Sequence, residues 1–183
     1  MKTCFIMPSL RLLIAITLIV GVIYPVSVTL VGQTLFPRQA KGSLIWKDHQ
    51  VIASTLLAQK ILSPRLFWPR PSAADYKAVP SGASNLGPTS DTLKQEIQKR
   101  QTLGMTQELL FSSGSGLDPH ISPDAAFGQL PRIVSLRKLS ENQTQELKRL
   151  IENSVESRGW NFLGEPRINV MELNLKLLAR FGQ

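Results

Sequence analysis

LLIAITLIVGVIYPVSVTLV, Leu12 to Val31, is a 20-residue apolar stretch interrupted only by Thr17, Gly21, Pro25, Ser27 and Thr29. It sits inside a run of 26 uncharged residues bounded by Arg11 and Arg38. At 1.5 Å of rise per residue a helix of that length is about 30 Å long, the thickness of a bilayer's hydrocarbon core. The stretch is too long for the apolar region of a signal peptide, and the following GQTLFPRQA offers no small-x-small cleavage site. The reading is an uncleaved single-pass transmembrane helix over 12–31, with a short tail (1–11) before it and a soluble domain (32–183) after it.

Working outward, charge does not fix the orientation of that helix, because Lys2 and Arg11 on one side face Arg38, Lys41 and Lys47 on the other. Long C-terminal domains translocate largely regardless of charge, which keeps open a cytoplasmic N-terminus and an extracytoplasmic domain, the orientation expected here. The only cysteine, Cys4, precedes the helix, so the domain can form neither a disulfide nor a thiolate metal site. All 13 acidic residues and 19 of the 21 Lys and Arg follow the helix, leaving the domain at +6. The basic residues are scattered among acidic ones with no nucleic-acid motif, so the excess is read as a surface lying beside anionic lipid headgroups. The chain has 183 residues, and 19% of them are charged against the roughly 25% usual in soluble domains. The apolar helix accounts for that deficit.

The domain reads as α+β. Leu44 to Trp46 can start a strand, and VIASTLLAQKI, Val51 to Ile61, has helical spacing at Leu56, Leu57 and Ile61. A loop rich in Pro, Ser and Gly runs from Ser63 to Ser90, with Leu66, Phe67, Trp68 and Tyr76 among its prolines. Ser90 or Asp91 caps a helix carrying Leu93 and Ile97 that stops near Gly104, and Ser122-Pro123-Asp124 opens another, expected to break or kink at Pro131. Ser140 and Gln143 fit a capping box for a helix with Leu147, Leu150, Ile151 and Val155 on one face, ended by Gly159. Ile168-Asn169-Val170 alternates like a strand, and MELNLKLLARF after it fits strand or helix.

Candidate chemistry concentrates in SGSGLDPHIS, Ser113 to Ser122. Ser115, Asp118 and His120 could form a nucleophilic triad, giving a membrane-anchored hydrolase as one reading. Residues so close in sequence rarely reach relay geometry, however, and Gly114-Ser115-Gly116 is not a G-x-S-x-G elbow. The other reading is a structured turn or interface. Asp118 and His120 alone make a poor metal site, and no phosphate-binding loop is present. Arg70 could pair a carboxylate or phosphate, or pin its own loop above Tyr76. In the apolar helix, Thr17, Gly21, Pro25 and Thr29 recur every fourth residue, a small-residue stripe suited to close approach of a second transmembrane helix.

Taken together, KGSLI (Lys41 to Ile45), RPSAADY (Arg70 to Tyr76), SGASNLGP (Ser81 to Pro88), SGSGLDPHIS, QLPRI (Gln129 to Ile133) and INVMELNL (Ile168 to Leu175) resemble the C subunit of the bacterial and archaeal Kdp potassium-transporting ATPase. The resemblance spans nearly the whole chain. It implies a non-catalytic accessory subunit, without cofactors of its own, in an ATP-driven potassium uptake complex of the cell membrane. The partners implied are a potassium-channel-like A subunit, a P-type ATPase B subunit and a small F subunit, where ATP and K+ act. The family's C subunit is described as a catalytic chaperone that raises the B subunit's affinity for ATP. The candidate structural or interface residues are the stripe Thr17, Gly21, Pro25 and Thr29, together with Arg70, Pro71, Ser72, Tyr76, Ser84, Asn85, Ser115, Gly116, Asp118, His120, Asn169 and Asn174. Where the family often has glycines, this chain has Ala53 and Ala58, expected to raise local helix propensity. Phe67-Trp68 stands where Tyr-Phe is usual.

Overall fold

The computed structural model describes residues 6–160 and 162–182, so Lys2 and Cys4 lie outside the described residues. The chain divides into two units at Leu44/Ile45. The first is one long apolar helix from Ile6 to Leu35 with a short continuation. It comprises α1 (Ile6–Leu18), a π turn (Ile19–Ile23) and α2 (Tyr24–Leu35), followed by α3 (Pro37–Ala40). It is the one helix among the described residues long and apolar enough to cross a membrane, and it exceeds the 12–31 stretch at both ends.

The π turn has a local cause. Pro25 has no N–H and its ring crowds the preceding turn, and widening that turn by one residue relieves the clash. It also changes the stripe. A four-residue repeat gains about 0.4 residue per step on a 3.6-residue helix, about 1.2 residues from position 17 to 29. The extra residue of the π turn takes up most of that drift and brings Thr17 and Thr29 closer to one line. The Thr29 hydroxyl donates to the Pro25 carbonyl at 2.7 Å, so it is satisfied within its own helix.

The second unit is α+β, as the sequence pattern indicates. β1 (Leu44–Lys47) pairs with β2 (Gln50–Ser54) across Asp48 and His49, both at positive φ, as in a type I′ hairpin turn. The helix expected over Val51–Ile61 is therefore not formed. The β-branched pair Val51-Ile52 follows that turn into a strand, the Ser54 hydroxyl accepts the Leu56 N–H (3.1 Å), and the Ala58 N–H is drawn to the Leu117 carbonyl (2.9 Å). Ala53 is buried in β2 and Ala58 in the irregular stretch after it, so packing rather than helix propensity is what their methyl groups alter.

A long loop with no regular structure then leads to α4 (Asp91–Thr102), capped by Ser90 and without a buried residue. A 3₁₀ turn (Gln107–Leu110) and β3 (His120–Ile121) precede α5 (Pro123–Arg137), α6 (Glu141–Glu152), β4 (Val155–Glu156), β5 (Arg167–Asn169) and α7 (Val170–Phe181). The second sheet is antiparallel in the order β3-β5-β4, with Ile168 opposite both Ile121 and Val155. α5 runs through Pro131 without the expected break. Buried Ala125, Ala126, Gln129, Leu130 and Ile133 hold it on both sides of the proline, and it ends at Lys138 in the left-handed conformation. α6 has the expected capping box but stops at Glu152, and Val155 belongs to β4 rather than to the helix face. Val170 likewise opens α7 instead of closing a strand, because the Asn169 side chain caps that helix.

The core joins α5, α6, α7 and the sheet through Ile121, Ile133, Leu147, Ile151, Ile168, Leu173 and Leu177, with Phe67 added from the long loop and Leu109 from the 3₁₀ turn. Each such burial contributes about 1.5–3 kcal/mol. On the outer side of α5, Gly128 permits a close approach: a Cβ there would lie 2.0 Å from Thr106 Cγ2. We expect Gly128→Ala to destabilise the domain by about 1–3 kcal/mol despite alanine's better helix propensity. Thr106→Ala in the same chain should recover most of the loss. Thermal unfolding of the two variants checks this, and equal melting of wild type and Gly128→Ala would refute the close-packing account.

Candidate functional site

The site is built where the loop 63–88 meets the loop 111–122. Their junction needs buried backbone without secondary structure, and side chains from the helices supply the missing partners. On α7, the Asn174 Oδ1 accepts the Phe67 N–H (2.8 Å) and its Nδ2 donates to the Phe67 carbonyl (2.9 Å). On α5, Gln129 does the same for Trp68: Oε1 accepts its N–H (2.8 Å) and Nε2 donates to its carbonyl (3.1 Å). Each amide stands in for a neighbouring strand. One turn on, Arg132 lies over the Trp68 ring at 3.7 Å and donates to Leu66 O (3.1 Å), to Gln129 Oε1 (2.7 Å) and to the Pro64 carbonyl. Burial lowers its pKa to about 10, so the guanidinium remains charged at neutral pH. Arg137 donates to Arg65 O at 2.8 Å.

From this fixed base the motif residues fold onto one another. The Ser72 hydroxyl accepts the N–H groups of Ala74 (3.2 Å) and Tyr76 (2.9 Å), closing a turn in which Asp75 and Tyr76 both have positive φ. The Tyr76 hydroxyl donates to the Arg70 carbonyl (2.9 Å), and burial pushes its pKa up to about 12. Across the junction, the Pro71 carbonyl accepts the Ser113 N–H (3.0 Å) and Arg70 Nη2 donates to the Ser112 carbonyl (3.3 Å). Gly116, buried and at φ +71°, fits because it lacks a Cβ, which would sit 2.8 Å from the Gly82 carbonyl and 3.2 Å from Ser72 Oγ. Ser84 and Asn85 lie beyond this contact, Ser84 half-buried and Asn85 exposed with φ 52°.

The candidate triad is not assembled. Ser115 is exposed and its Oγ accepts the Leu117 N–H at 3.1 Å, which makes it a turn-forming hydroxyl. Asp118 and His120 do meet: Asp118 Oδ1 accepts the His120 N–H (3.0 Å) and stands 3.3 Å from His120 Nδ1. All three, Ser115 included, line one open depression of about 380 Å³ with Leu56, Leu57 and Pro119, but no hydrogen bond joins Ser115 to His120 among the described residues. Among the described residues no group of three His, Cys, Asp or Glu comes together that could hold a metal ion. At the far edge, Asn169 caps α7 by accepting from Met171 and Glu172 N–H (3.0 and 3.2 Å), and its Nδ2 reaches the Thr55 carbonyl (2.7 Å).

The sequence reading named Asn174 and Asn169 but missed Gln129, Arg132 and Arg137 as anchors of the loop. The available signal was a glutamine on an otherwise apolar helix face, followed three residues later by an arginine.

A family model described as K+-transporting ATPase, c chain (KdpC), matches residues 6–179. The chain belongs to this family. Proteins named potassium-transporting ATPase KdpC subunit resemble it over nearly their full length. That of Leptospira interrogans is 44% identical, covering 95% of this chain and 93% of its own. That of Methylococcus capsulatus is 47% identical, covering 94% and 96%, and that of Shewanella putrefaciens 40% identical, covering 100% and 96%. Membership extends over the long apolar helix and over both loops of the junction.

The hydrogen bond from His120 is the largest influence holding Asp118 below the ordinary carboxylate range, against the opposing effect of partial burial. A carboxyl whose pKa is depressed on folding adds stability above its unfolded pKa of about 3.9, and loses it as pH falls through the folded value. Asp118→Asn is therefore expected to be less stable than wild type near neutrality. The gap should close as pH drops below about 4. Urea unfolding at a series of pH values tests this, and a gap that persists into acid would remove the carboxylate from the argument.

Proposed function

We propose that this chain is the accessory subunit of an ATP-driven potassium-transporting complex, anchored by Ile6–Leu35, and that its C-terminal domain acts by docking rather than by bond-making. One observation carries the reading: the polar side chains that might have been catalytic are engaged in holding their own loops. Ser72, Ser115 and Tyr76 bond to loop backbone, and Asp118 bonds to His120. Family membership over residues 6–179 supplies the complex in which such a subunit works.

In this reading ATP and K+ are handled by larger partners, a channel-like A subunit and a P-type ATPase B subunit, with the small F subunit beside them. The domain lies on the extracytoplasmic side. Any chaperone-like effect on the B subunit's affinity for ATP is then transmitted through subunit contacts, since phosphoryl transfer requires a phosphate cradle and usually Mg²⁺ held by carboxylates. The stripe Thr17, Gly21, Pro25 and Thr29 is one such contact. Lipid gives no hydrophobic reward for helix association, so close packing of small side chains must provide it, and a Cβ at Gly21 would meet only its stripe neighbour Thr17 Cγ2, at 4.0 Å.

Purification in mild detergent provides the main test. The chain should be recovered with much larger membrane subunits whose ATPase activity responds to potassium. Gly21→Leu should lower that recovery while Val20→Leu does not, and Asp118→Asn and His120→Gln should reduce turnover only as far as they reduce assembled complex. Fully assembled complex with turnover abolished by either loop variant would favour chemistry at Asp118 and His120, and a solitary protein with hydrolase activity would restore the triad reading.

Orientation is tested separately. Protease added to intact spheroplasts should digest the domain beyond Val31, whereas protection until the membrane is permeabilised would place the domain inside.

A further inference from the structure

Between β4 and β5 the chain turns back at Gly159 to Leu163 and leaves its largest side chains in water. Trp160 is 84% exposed, Phe162 71% and Leu163 58%. Singly exposed apolar residues need no explanation, but three at one turn form a patch. The turn is closed by its own backbone: the N–H groups of Phe162 (3.3 Å) and Leu163 (2.9 Å) both donate to the Gly159 carbonyl, and Gly159 and Leu163 form an antiparallel bridge. Trp160 takes a left-handed φ of 49°, unfavourable for a bulky residue outside a tight turn. The Trp160 and Phe162 rings lie 6.4 Å apart.

We propose that this turn is a lipid-contacting prong that inserts Trp160, Phe162 and Leu163 into the headgroup–acyl boundary of the bilayer holding the N-terminal helix. The composition fits that place: an indole beside aliphatic and phenyl groups suits the interfacial aromatic belt. Exposed Arg158 at its base can meet lipid phosphate, while Arg167 is paired with Glu156 (2.9 Å) and exposed Glu165 stands on the other side. The tether keeps the domain near the bilayer. At about 3.5 Å per residue when extended, segment 36–43 carries the domain no more than roughly 30 Å from the end of the apolar helix. A bilayer is therefore present at high effective concentration whether or not other proteins are bound.

The inference rests on the reading that Ile6–Leu35 spans the membrane, and the experiment separates the two. The full chain is reconstituted into phosphatidylcholine–phosphatidylglycerol vesicles, with and without bromine on the upper acyl chain, and floated on a density gradient. Trp160 emission is the difference between wild type and Trp160→Phe. In floated protein that emission should be quenched for the larger part by the brominated lipid, and Phe162→Asp with Leu163→Asp should restore it. Protein that does not float overturns the anchor and the prong together. Protein that floats with Trp160 emission unchanged by bromine overturns the prong alone. Should Trp160→Asp then also reduce recovery of larger subunits, the turn is a protein contact instead.

Discussion

Two side-chain amides hold the domain's long irregular loop in place. Loop 63–88 has no strand or helix to satisfy its backbone, yet it must carry Phe67 into the core, and a buried peptide group left without a partner costs about 1–3 kcal/mol. Asn174 and Gln129 each satisfy both the N–H and the carbonyl of one residue, at Phe67 and Trp68. They come from different helices, so the loop is pinned only once α5 and α7 have packed against each other's neighbours. Everything downstream follows from that pin: the Arg132 stack on Trp68, the Pro71 to Ser113 bond, and the glycine contact between Gly116 and Gly82.

This arrangement explains why the polar residues of the two loop motifs are poor candidates for chemistry and good candidates for shape. A nucleophilic hydroxyl needs a base placed to take its proton, and among the described residues no hydrogen bond joins Ser115 to His120. Ser72 and Ser115 accept backbone N–H groups, Tyr76 donates to a carbonyl, and Asp118 is held by the residue two positions on. What the junction offers to the outside is contour, such as the open depression beside Asp118 and His120. A subunit that contributes to a larger assembly by contact requires a surface of this kind.

The N-terminal helix works under a different solvent but shows the same economy. Pro25 would kink an ordinary helix; the adjacent π turn absorbs the misfit and, by adding a residue, keeps a four-residue repeat from winding around the cylinder. A local backbone defect therefore helps the small side chains share one face, which matters only where close approach of another helix is the source of affinity.

Much of the plan was legible in the chain itself, because its signals act over short range. The apolar run, the Ser90, Ser122 and Ser140 caps, and the α+β mixture depend on neighbours within a few residues, and the motifs were long enough to indicate the family. What failed were segments whose local preference was weak and whose partners were remote. Val51–Ile61 became strand and turn because the Ala58 N–H bonds to Leu117, nearly sixty positions away, and α5 passed Pro131 because buried contacts on both sides outweighed one lost hydrogen bond. MELNLKLLARF was ambiguous by pattern and became helix when Asn169 supplied a cap while also bonding Thr55. The roles of Asn174, Gln129 and Arg132 lay beyond sequence reading for the same reason: an amide's partner is chosen by which backbone the fold leaves unsatisfied, and only the tertiary structure determines that.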